Sequence, residues 1–324
     1  MIILSRNECP YPPSPLVRES VCRDLERINR YEIPGLVDEI RRLLASYTGA
    51  PVDYIHLLSG SEAFFVSLPW AFLRYNYKFV YLSPTFAPAI EDLSIWGVKL
   101  ADIPLDNNFR INIEKVLEES GSDSIIYIVN PNNPTGNEVI ACDDVEKLAR
   151  YYRAVILDEA YYEYSGLTCK NLVLEYDNVM VLRTLSKAFC LAGARIAYLI
   201  AHPNTYREFF GTRRKYDIPV PSLLAARGAL QDLDYMRKVV SKTLSTKKWV
   251  VEELRKIEDI EVVDTLTNFI LVGKRGYDSK TLAKKLLENN ILVKELDGRL
   301  GKYVRVTIGA ENEMKYFINV IKTI

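Results

Sequence analysis

One lysine in this sequence lies where a chemical role explains it better than solvation does. Residues 179–182 form an apolar run with the pattern of a buried strand, and the run ends in RTLSK, whose lysine is Lys187. Arg195 follows eight residues later, after the small residues at 192–194. A lysine at the end of a buried strand must either reach water or take part in chemistry. Lys187 is therefore the first candidate catalytic residue.

Two more polar clusters follow apolar runs of the same kind. The run at 124–129 leads into NPNNPTG at 130–136, and the run at 154–157 leads into DEAY at 158–161. Strand-like runs alternate with helical ones from residue 79 onward, which predicts a mainly parallel sheet covered by helices. Ligands gather at the carboxyl ends of the strands in such a sheet. We therefore expect the three clusters to converge.

A helix start near residue 61 suits an anion. Ser59 and Glu62 have the S-x-x-E spacing of a capping box, which predicts that a helix begins here and runs over 63–73. Free N–H groups and the positive end of the helix dipole lie at such a start, and they can hold a phosphate. Taken alone, a capping box indicates only that a helix begins.

Hydrophobic periodicity divides the chain into three parts. We expect an N-terminal arm and helix at 1–30 that packs with the small domain, a large domain at 31–221 and a small α+β domain at 222–324. The predicted helices lie at 16–30, 36–47, 63–73, up to residue 95, 113–119, 143–152, 222–256, 279–289 and from 311 onward. The predicted strands lie at 79–82, 98–103, 124–129, 154–157, 179–182, 196–200, 260–263, 269–272, 291–296 and 304–308.

Composition disfavours several classes of partner. Hydrophobic residues make up 48% and charged residues 26% of the 324 residues, as in ordinary globular proteins. The 42 Lys and Arg balance the 42 Asp and Glu, so no overall field favours nucleic acid or an anionic membrane. The basic run at 213–215 is expected to be a solvated loop. The apolar run at 64–73 is too short to span a bilayer, and no signal peptide is visible at the amino terminus.

The number and spacing of the cysteines and histidines indicate whether metal sites or disulfides are expected, and in which cellular compartment the protein works. The five cysteines are odd in number, scattered and without CxxC spacing. This pattern predicts a reduced, cytoplasmic protein with neither a disulfide framework nor a cysteine-based zinc site. His56 and His202 are the only histidines and lie far apart in the sequence, so neither a His-rich metal site nor a His-based triad is expected.

The clusters together resemble the motifs of the class I/II aminotransferases, which use pyridoxal 5'-phosphate (PLP). Within that family the resemblance is greatest to the histidinol-phosphate aminotransferases, and it runs from Asn7-Glu8 to RVTIG at 305–309. NPNNPTG, DEAY, RTLSKAF and Arg195 have the order and spacing of the family. The resemblance implies PLP transferase fold type I, with a large parallel-sheet domain and a smaller α+β domain.

The same resemblance implies a role for each matched residue around the cofactor ring. Lys187 would form a Schiff base with PLP and then carry the α-proton as general acid and base. Asp158 would pair with the pyridine nitrogen, while Tyr161 and Asn133 would bond the ring's phenolate oxygen. Phe86 would stack on the ring. The implied ligands of the cofactor phosphate are the N–H groups of Ser61 and Glu62 and the side chains of Thr184, Ser186 and Arg195.

Further matches concern the substrate and a second subunit. Tyr31 matches a tyrosine that reaches the cofactor phosphate from the partner subunit, which implies a homodimer with shared active sites. Arg305 matches the arginine that binds the substrate's anionic group, and Lys294 and Asn7 are further substrate candidates. The implied partners are a small-molecule amino donor and a 2-oxo acid acceptor. Taken singly, Tyr161 is as well explained as a core aromatic and Arg305 as a surface residue.

Two departures from the family pattern leave the substrate open. Lys294 stands on the strand where histidinol-phosphate aminotransferases usually carry an arginine, and it keeps the charge but not the bidentate fork. Cys9 stands where many relatives have an aromatic residue. Three hypotheses follow: transamination of histidinol phosphate with 2-oxoglutarate in histidine biosynthesis, transamination of an aromatic or other α-amino acid, or decarboxylation as in threonine-phosphate decarboxylase.

Overall fold

A computed structural model describes residues 1–211 and 216–324 of the chain, so the basic run at 213–215 lies outside the described residues. The strands are β1 (Ile2–Ile3), β2 (Ile55–Leu58), β3 (Lys78–Tyr81), β4 (Lys99–Asp102), β5 (Ser124–Val129), β6 (Ala154–Asp158), β7 (Val179–Thr184), β8 (Ala197–Ala201), β9 (Ile260–Val263), β10 (Phe269–Lys274), β11 (Ile291–Leu292), β12 (Lys294–Glu295) and β13 (Tyr303–Thr307).

The α-helices cover the sheets on the outside. They are α1 (Pro15–Arg23), α2 (Leu36–Thr48), α3 (Glu62–Ser67), α4 (Pro69–Tyr75), α5 (Ala87–Ile95), α6 (Ile113–Glu119), α7 (Cys142–Tyr151), α8 (Tyr162–Ser165), α9 (Pro203–Phe210), α10 (Val220–Leu230), α11 (Leu233–Leu254), α12 (Ser279–Glu288) and α13 (Glu311–Thr323). Among the described residues, no helix is both long and apolar enough to cross a membrane.

The largest sheet has seven strands among the described residues, in the order β2-β8-β7-β6-β5-β3-β4. Its pairs are parallel except those of β8, which runs antiparallel to β7 and to β2. The central strands β5, β6 and β7 are buried at every position. Both faces are packed, since alternate residues of β5 belong to two separate hydrophobic clusters. The predicted fold class is confirmed.

A smaller antiparallel sheet, in the order β12-β13-β10-β9, carries the C-terminal part of the chain. Its core contains residues of α11, α12 and α13 together with Leu4 of the N-terminal arm. The arm joins this part directly, because β1 pairs in parallel with β11. The predicted division near residue 221 stays a prediction; that residue lies inside α10, which packs against α1 and α2.

Several element boundaries differ from the predictions for local reasons. The helix predicted at 63–73 is two helices, and Pro69 begins the second of them, where a missing N–H costs nothing. The long helix predicted at 222–256 is also two, because Asp232 caps α11 by accepting from Tyr235 N. The first helix ends at Arg23, and β2 and α9 were not predicted. The strand predicted at 291–296 is split between two sheets.

The prediction of a chain without disulfides was wrong. Cys9 is bonded to Cys190, and Cys142 is bonded to Cys169; Cys22 is free and exposed. The bonded residues are 181 and 27 positions apart in the sequence. Such pairs are set by which strand ends and loops meet in the folded chain, so their spacing carries no disulfide signal. The spacing of the cysteines therefore does not indicate a reducing compartment.

Candidate active site

The three polar clusters meet at one edge of the large sheet. Asp158 ends β6, Thr184 ends β7, and the 130–136 turn follows β5 directly. These strands are parallel neighbours, with Val129 opposite Asp158 and Asp158 opposite Leu182. Their carboxyl ends therefore open on the same side, as expected for a ligand site of a parallel sheet.

Asp158 is an acid held inside the protein. Its side chain is 5% exposed, and Tyr127 of β5 donates to its Oδ2 at 2.7 Å. The N–H of Ala160 donates to Oδ1 at 3.1 Å. Burial raises the pKa of the Asp158 carboxyl to about 6, although both hydrogen bonds oppose the rise. A buried carboxylate of this kind favours a cationic partner at neutral pH.

Lys187 is half-buried just beyond β7, and its Nζ donates to the carbonyl of Arg6 at 3.1 Å. Burial, and next to it the positive charge of Arg305, lower the pKa of Lys187 to about 8. An ordinary lysine has a pKa near 10.4, so Lys187 holds a far larger neutral fraction at pH 7. A neutral amine is the nucleophilic form.

Hydroxyls and a guanidinium lie beside Lys187. Thr184 Oγ1 accepts from the N–H of Ser186 at 3.0 Å and lies 2.9 Å from Ser186 Oγ. Arg195 Nη2 bonds Glu62 Oε2 at 2.7 Å, and the Arg195 side chain is 43% exposed. Gly60 has φ +81°, and a Cβ there would lie 2.8 Å from Arg195 Nη2. The positive φ favours glycine, and an added Cβ would force the Arg195 guanidinium to shift.

The predicted capping box at residue 59 is not formed. Helix α3 begins at Glu62, so its N-cap residue is Ser61 and not Ser59. Glu62 lies in the first turn and uses its carboxylate on Arg195. The predicted N–H ligands, Ser61 and Glu62, still lie at the helix start near Arg195.

Arg305 of β13 enters the site from the smaller sheet. It is 8% exposed, donates from Nη1 to Asn133 Oδ1, and donates from Nη2 to the carbonyl of Ser5 at 2.7 Å. Its buried Nε has no hydrogen-bond partner among the described residues. Burial lowers the pKa of Arg305. Lys294 of β12 lies directly opposite Arg305 in the antiparallel ladder and is exposed. Directly opposite residues share one face of a sheet, so the two cations are neighbours.

Asn7 and Tyr161 lie in contact, which the sequence did not indicate. Asn7 is only 1% exposed, and its Nδ2 donates to the Tyr161 hydroxyl at 2.8 Å. Tyr161 is itself 3% exposed and packs edge-on against Phe269. Asn7 was expected to contact substrate, whereas the structure commits its side-chain amide to a residue of the protein.

Phe86 and Tyr31, two aromatic candidates, differ in burial. Phe86 is half-buried at the N-cap of α5 and packs against the hydrophobic cluster on one face of the large sheet. Tyr31 is 84% exposed and stacks on Tyr216, with ring centroids 5.6 Å apart. A single chain therefore leaves Tyr31 on its surface.

Sequence reasoning missed a buried ion pair behind the site. Arg183 and Glu159 are 1% and 2% exposed and are 2.7 Å apart. Thr168 and the N–H of Cys169 also donate to Glu159, and the Arg183 guanidinium lies 3.6 Å from the Tyr162 ring. The pair joins the ends of β6 and β7, next to Asp158 and Thr184. An arginine within an otherwise apolar strand was the available signal.

The chain matches the family model described as aminotransferase class I and II over residues 1–321. It is 34% identical to a histidinol-phosphate aminotransferase of Pyrococcus furiosus over 99% of this chain and 91% of that protein. The solved histidinol-phosphate aminotransferase of Sinorhizobium meliloti, in complex with pyridoxal-5'-phosphate, superposes with a TM-score of 0.88 at 22% identity, over 99% of this chain and 89% of that one.

A second reaction class shares the architecture. The solved L-threonine-O-3-phosphate decarboxylase of Porphyromonas gingivalis superposes with a TM-score of 0.84 at 18% identity, over 100% of this chain and 99% of that one. At such identities the structural likeness establishes the fold and leaves the reaction to the sequence relatives and the site.

Proposed function

The chain belongs to the class I and II aminotransferase family, and on that premise we propose that PLP is its cofactor and histidinol phosphate its amino donor. The acceptor in this proposal is 2-oxoglutarate, and the reaction is a step of histidine biosynthesis. The observation that carries the choice of donor is the pair of neighbouring cations, Arg305 and Lys294, on one face of the smaller sheet.

The residues at the sheet edge fit PLP. The buried Asp158 carboxylate suits a protonated ring nitrogen, and Phe86 offers an aromatic face. Thr184, Ser186 and Arg195 offer donors for a phosphate dianion. When bound, PLP supplies an electrophilic carbon and a ring that takes up the electron pair released at the substrate's α-carbon. Asn133 and Tyr161 are the proposed partners of the ring oxygen.

Lys187 would have two roles in this site. Its lowered pKa, about 8, supplies neutral amine for covalent attachment of the cofactor. Once the amine is released, the same Nζ can take a proton from the substrate's α-carbon and return it elsewhere. Asp158 would hold the ring nitrogen in its protonated form, since a buried carboxylate without a cation beside it is costly.

The substrate's phosphate would lie against Arg305 and Lys294. A phosphate monoester carries about −1.5 to −2 charges at neutral pH, so two cations are needed to balance it. A carboxylate carries a single charge and would need only one. The unpartnered Nε of Arg305 supports an anion here, because a buried donor left without an acceptor costs about 1–3 kcal/mol.

A half-reaction screen tests the proposal. The cofactor-loaded protein is mixed with histidinol phosphate, histidinol, phenylalanine or threonine phosphate, and loss of its visible absorption is recorded. We expect histidinol phosphate to convert the band fastest. Faster conversion by phenylalanine would support an aromatic amino acid as donor, and carbon dioxide release from threonine phosphate would support a decarboxylase.

Substitution of Lys294 sharpens the screen. Lys294→Ala should lower kcat/KM for histidinol phosphate about tenfold, which corresponds to one partly exposed charge-assisted contact of roughly 1.4 kcal/mol. Histidinol lacks the phosphate and serves as the matched substrate, so its kcat/KM should stay unchanged. Lys294→Arg should retain activity towards histidinol phosphate. An equal loss for both substrates would contradict a phosphate contact at this position.

The proposed assembly is a homodimer in which Tyr31 completes the partner's phosphate site. Its high exposure in one chain supports this role. Mixing Lys187→Ala and Tyr31→Phe subunits tests it, because one site of each mixed dimer then holds both native residues. Activity above that of Tyr31→Phe alone is expected, and its absence would contradict shared sites.

We also keep the cytoplasm as the proposed location, to be checked by cell fractionation.

A further inference from the structure

Asn7 is held in one orientation by the smaller sheet. Its φ is +53°, in the left-handed region that asparagine tolerates better than most residues. Its N–H donates to Thr307 Oγ1 at 2.9 Å, and its carbonyl accepts from Asn268 Nδ2 at 3.1 Å. Both partners are buried. The backbone of Asn7 is therefore anchored before its side chain is considered.

The direction of the Asn7 amide follows from the same contacts. Thr307 Oγ1 already accepts from Asn7 N, and its own proton is donated to Asn7 Oδ1 at 3.2 Å. With Oδ1 on Thr307, Nδ2 faces the Tyr161 hydroxyl, 2.8 Å away. The side-chain amide is thus a donor towards the Tyr161 hydroxyl.

We propose that Asn7 is a positioning residue that makes Tyr161 a hydrogen-bond donor in the active site. A phenol has one proton, and an oxygen that accepts from an N–H cannot give its proton back to that nitrogen. The proton of Tyr161 must therefore go to another acceptor, which is the ring oxygen of the cofactor in the proposed function. The inference rests on that proposed function and names the residue that prepares Tyr161 for it.

The arrangement also links Tyr161 to the substrate's side of the site. Thr307 lies two residues after Arg305 on β13, and residues two apart lie on the same face of a strand. The strand that carries Arg305 therefore also carries the anchor of Asn7. In the proposed function, one strand would then serve both the substrate and the residue that orients Tyr161.

Asn7→Asp is the decisive variant, because it keeps the shape and the left-handed backbone but cannot donate at neutral pH. The carboxylate would accept a hydrogen bond from the Tyr161 hydroxyl, and the proton would stay on the phenol, whose pKa lies far above that of a carboxyl. The apoprotein is labelled with ¹³Cζ-tyrosine, and the Tyr161 resonance is identified by its loss in Tyr161→Phe. We expect Asn7→Asp to shift this resonance downfield, because the phenol then donates to a charged acceptor, while Asn171→Asp, at an exposed site, leaves it in place.

A double-mutant cycle gives the functional readout. Asn7→Asp should lower kcat/KM about 10- to 100-fold in the native background and have almost no further effect in Tyr161→Phe, as for residues that act as a unit. Thr307→Val, which frees the amide to turn, should change the resonance and the rate in the same direction. It is the second variant if Asn7→Asp does not fold.

Two outcomes would overturn the inference. One is a Tyr161 resonance that stays in place in both variants, and the other is an equal loss of kcat/KM with and without Tyr161. The resonance is measured without cofactor or substrate, so it separates the two proposals. A shifted resonance in a protein that no amino donor converts would support the Asn7 contact and contradict the proposed function.

Discussion

The two halves of the active site are built over very different ranges of the chain. The proposed cofactor half consists of Asp158, Thr184, Ser186, Lys187 and Arg195. The proposed substrate half consists of Lys294 and Arg305, with Asn7 on the N-terminal arm that contacts the same strand as Arg305. The cofactor half lies on one sheet, at the ends of adjacent strands and in the loop that follows β7. The substrate half brings together an N-terminal arm and the last strands of the chain.

The difference shows that the contacts of one half can change without those of the other. Asp158 and Lys187 are placed by the register of β6 and β7, which many buried apolar contacts maintain. Asn7 depends instead on a hydrogen bond to Thr307, 300 residues away. A few substitutions in the arm or in β12 can therefore change substrate contacts without disturbing the large sheet.

Loss of the Lys187 side chain should have the largest effect on activity, and it should leave substrate binding almost unchanged. Lys187→Ala should lower transamination by about 10⁴-fold or more, because one side chain is both the covalent anchor and the proton carrier. Histidinol phosphate should still bind the apoprotein of this variant with nearly native affinity in calorimetry, since Arg305 and Lys294 are untouched. Borohydride should fix PLP on the native protein at Lys187, and labelling at another lysine would contradict the assignment.

The Cys9–Cys190 bond joins the two halves, and its loss should have the second largest effect. It ties the arm beside Asn7 to the loop three residues after Lys187. From the sequence separations, loop-closure entropy predicts a loss of unfolding free energy of about 5 kcal/mol for Cys9→Ser with Cys190→Ser, against about 3.5 kcal/mol for Cys142→Ser with Cys169→Ser. Chemical denaturation measures both. Only the first pair should also raise the KM for the amino donor; equal effects on KM would contradict the link.

A pH titration probes the charge of the cofactor half. Asp158 has its pKa raised from 3.8 to about 6, so the folded apoprotein binds more protons than the unfolded chain between those values. Its unfolding free energy should therefore fall by up to about 3 kcal/mol as the pH rises from 4 to 6. Asp158→Asn should lack this component. Glu163→Gln, at another acid with a raised pKa, should keep it; parallel curves for the native protein and Asp158→Asn would refute the assignment.

The smallest effect concerns the shape of the phosphate site. Gly60→Ala should weaken PLP binding about tenfold, because its Cβ would displace the Arg195 guanidinium and cost one charge-assisted bond of roughly 1.4 kcal/mol. Gly166→Ala is the matched control, since Gly166 also has positive φ but nothing lies within 4 Å of its added Cβ. Both should cost about 1–2 kcal/mol in stability. Equal PLP affinities for the two variants would contradict the phosphate site.

The central strands of the large sheet were predictable because each has a local signal in the sequence. The runs at 125–129, 154–157 and 179–182 are rich in apolar residues without alternation, as strands buried on both faces are. Strand β2 was not predicted because His56 interrupts a short apolar run. The sequence of β8 does not indicate that this strand runs antiparallel. The split of 291–296 was invisible for another reason: β11 pairs with the arm and β12 with β13, and pairing partners are not encoded in a short segment.

By itself, the sequence determined the fold class and singled out the proposed cofactor residues, because strand periodicity and the residues that directly follow a strand are local properties. Only the tertiary structure decided that Asn7 contacts Tyr161, that Lys294 stands beside Arg305, and that Cys9 is bonded to Cys190. The residues of these three contacts are 154, 11 and 181 positions apart in the sequence, respectively. Contacts across such separations depend on how whole elements pack, and the physical signal for them lies in the packing and not in the spacing of the residues.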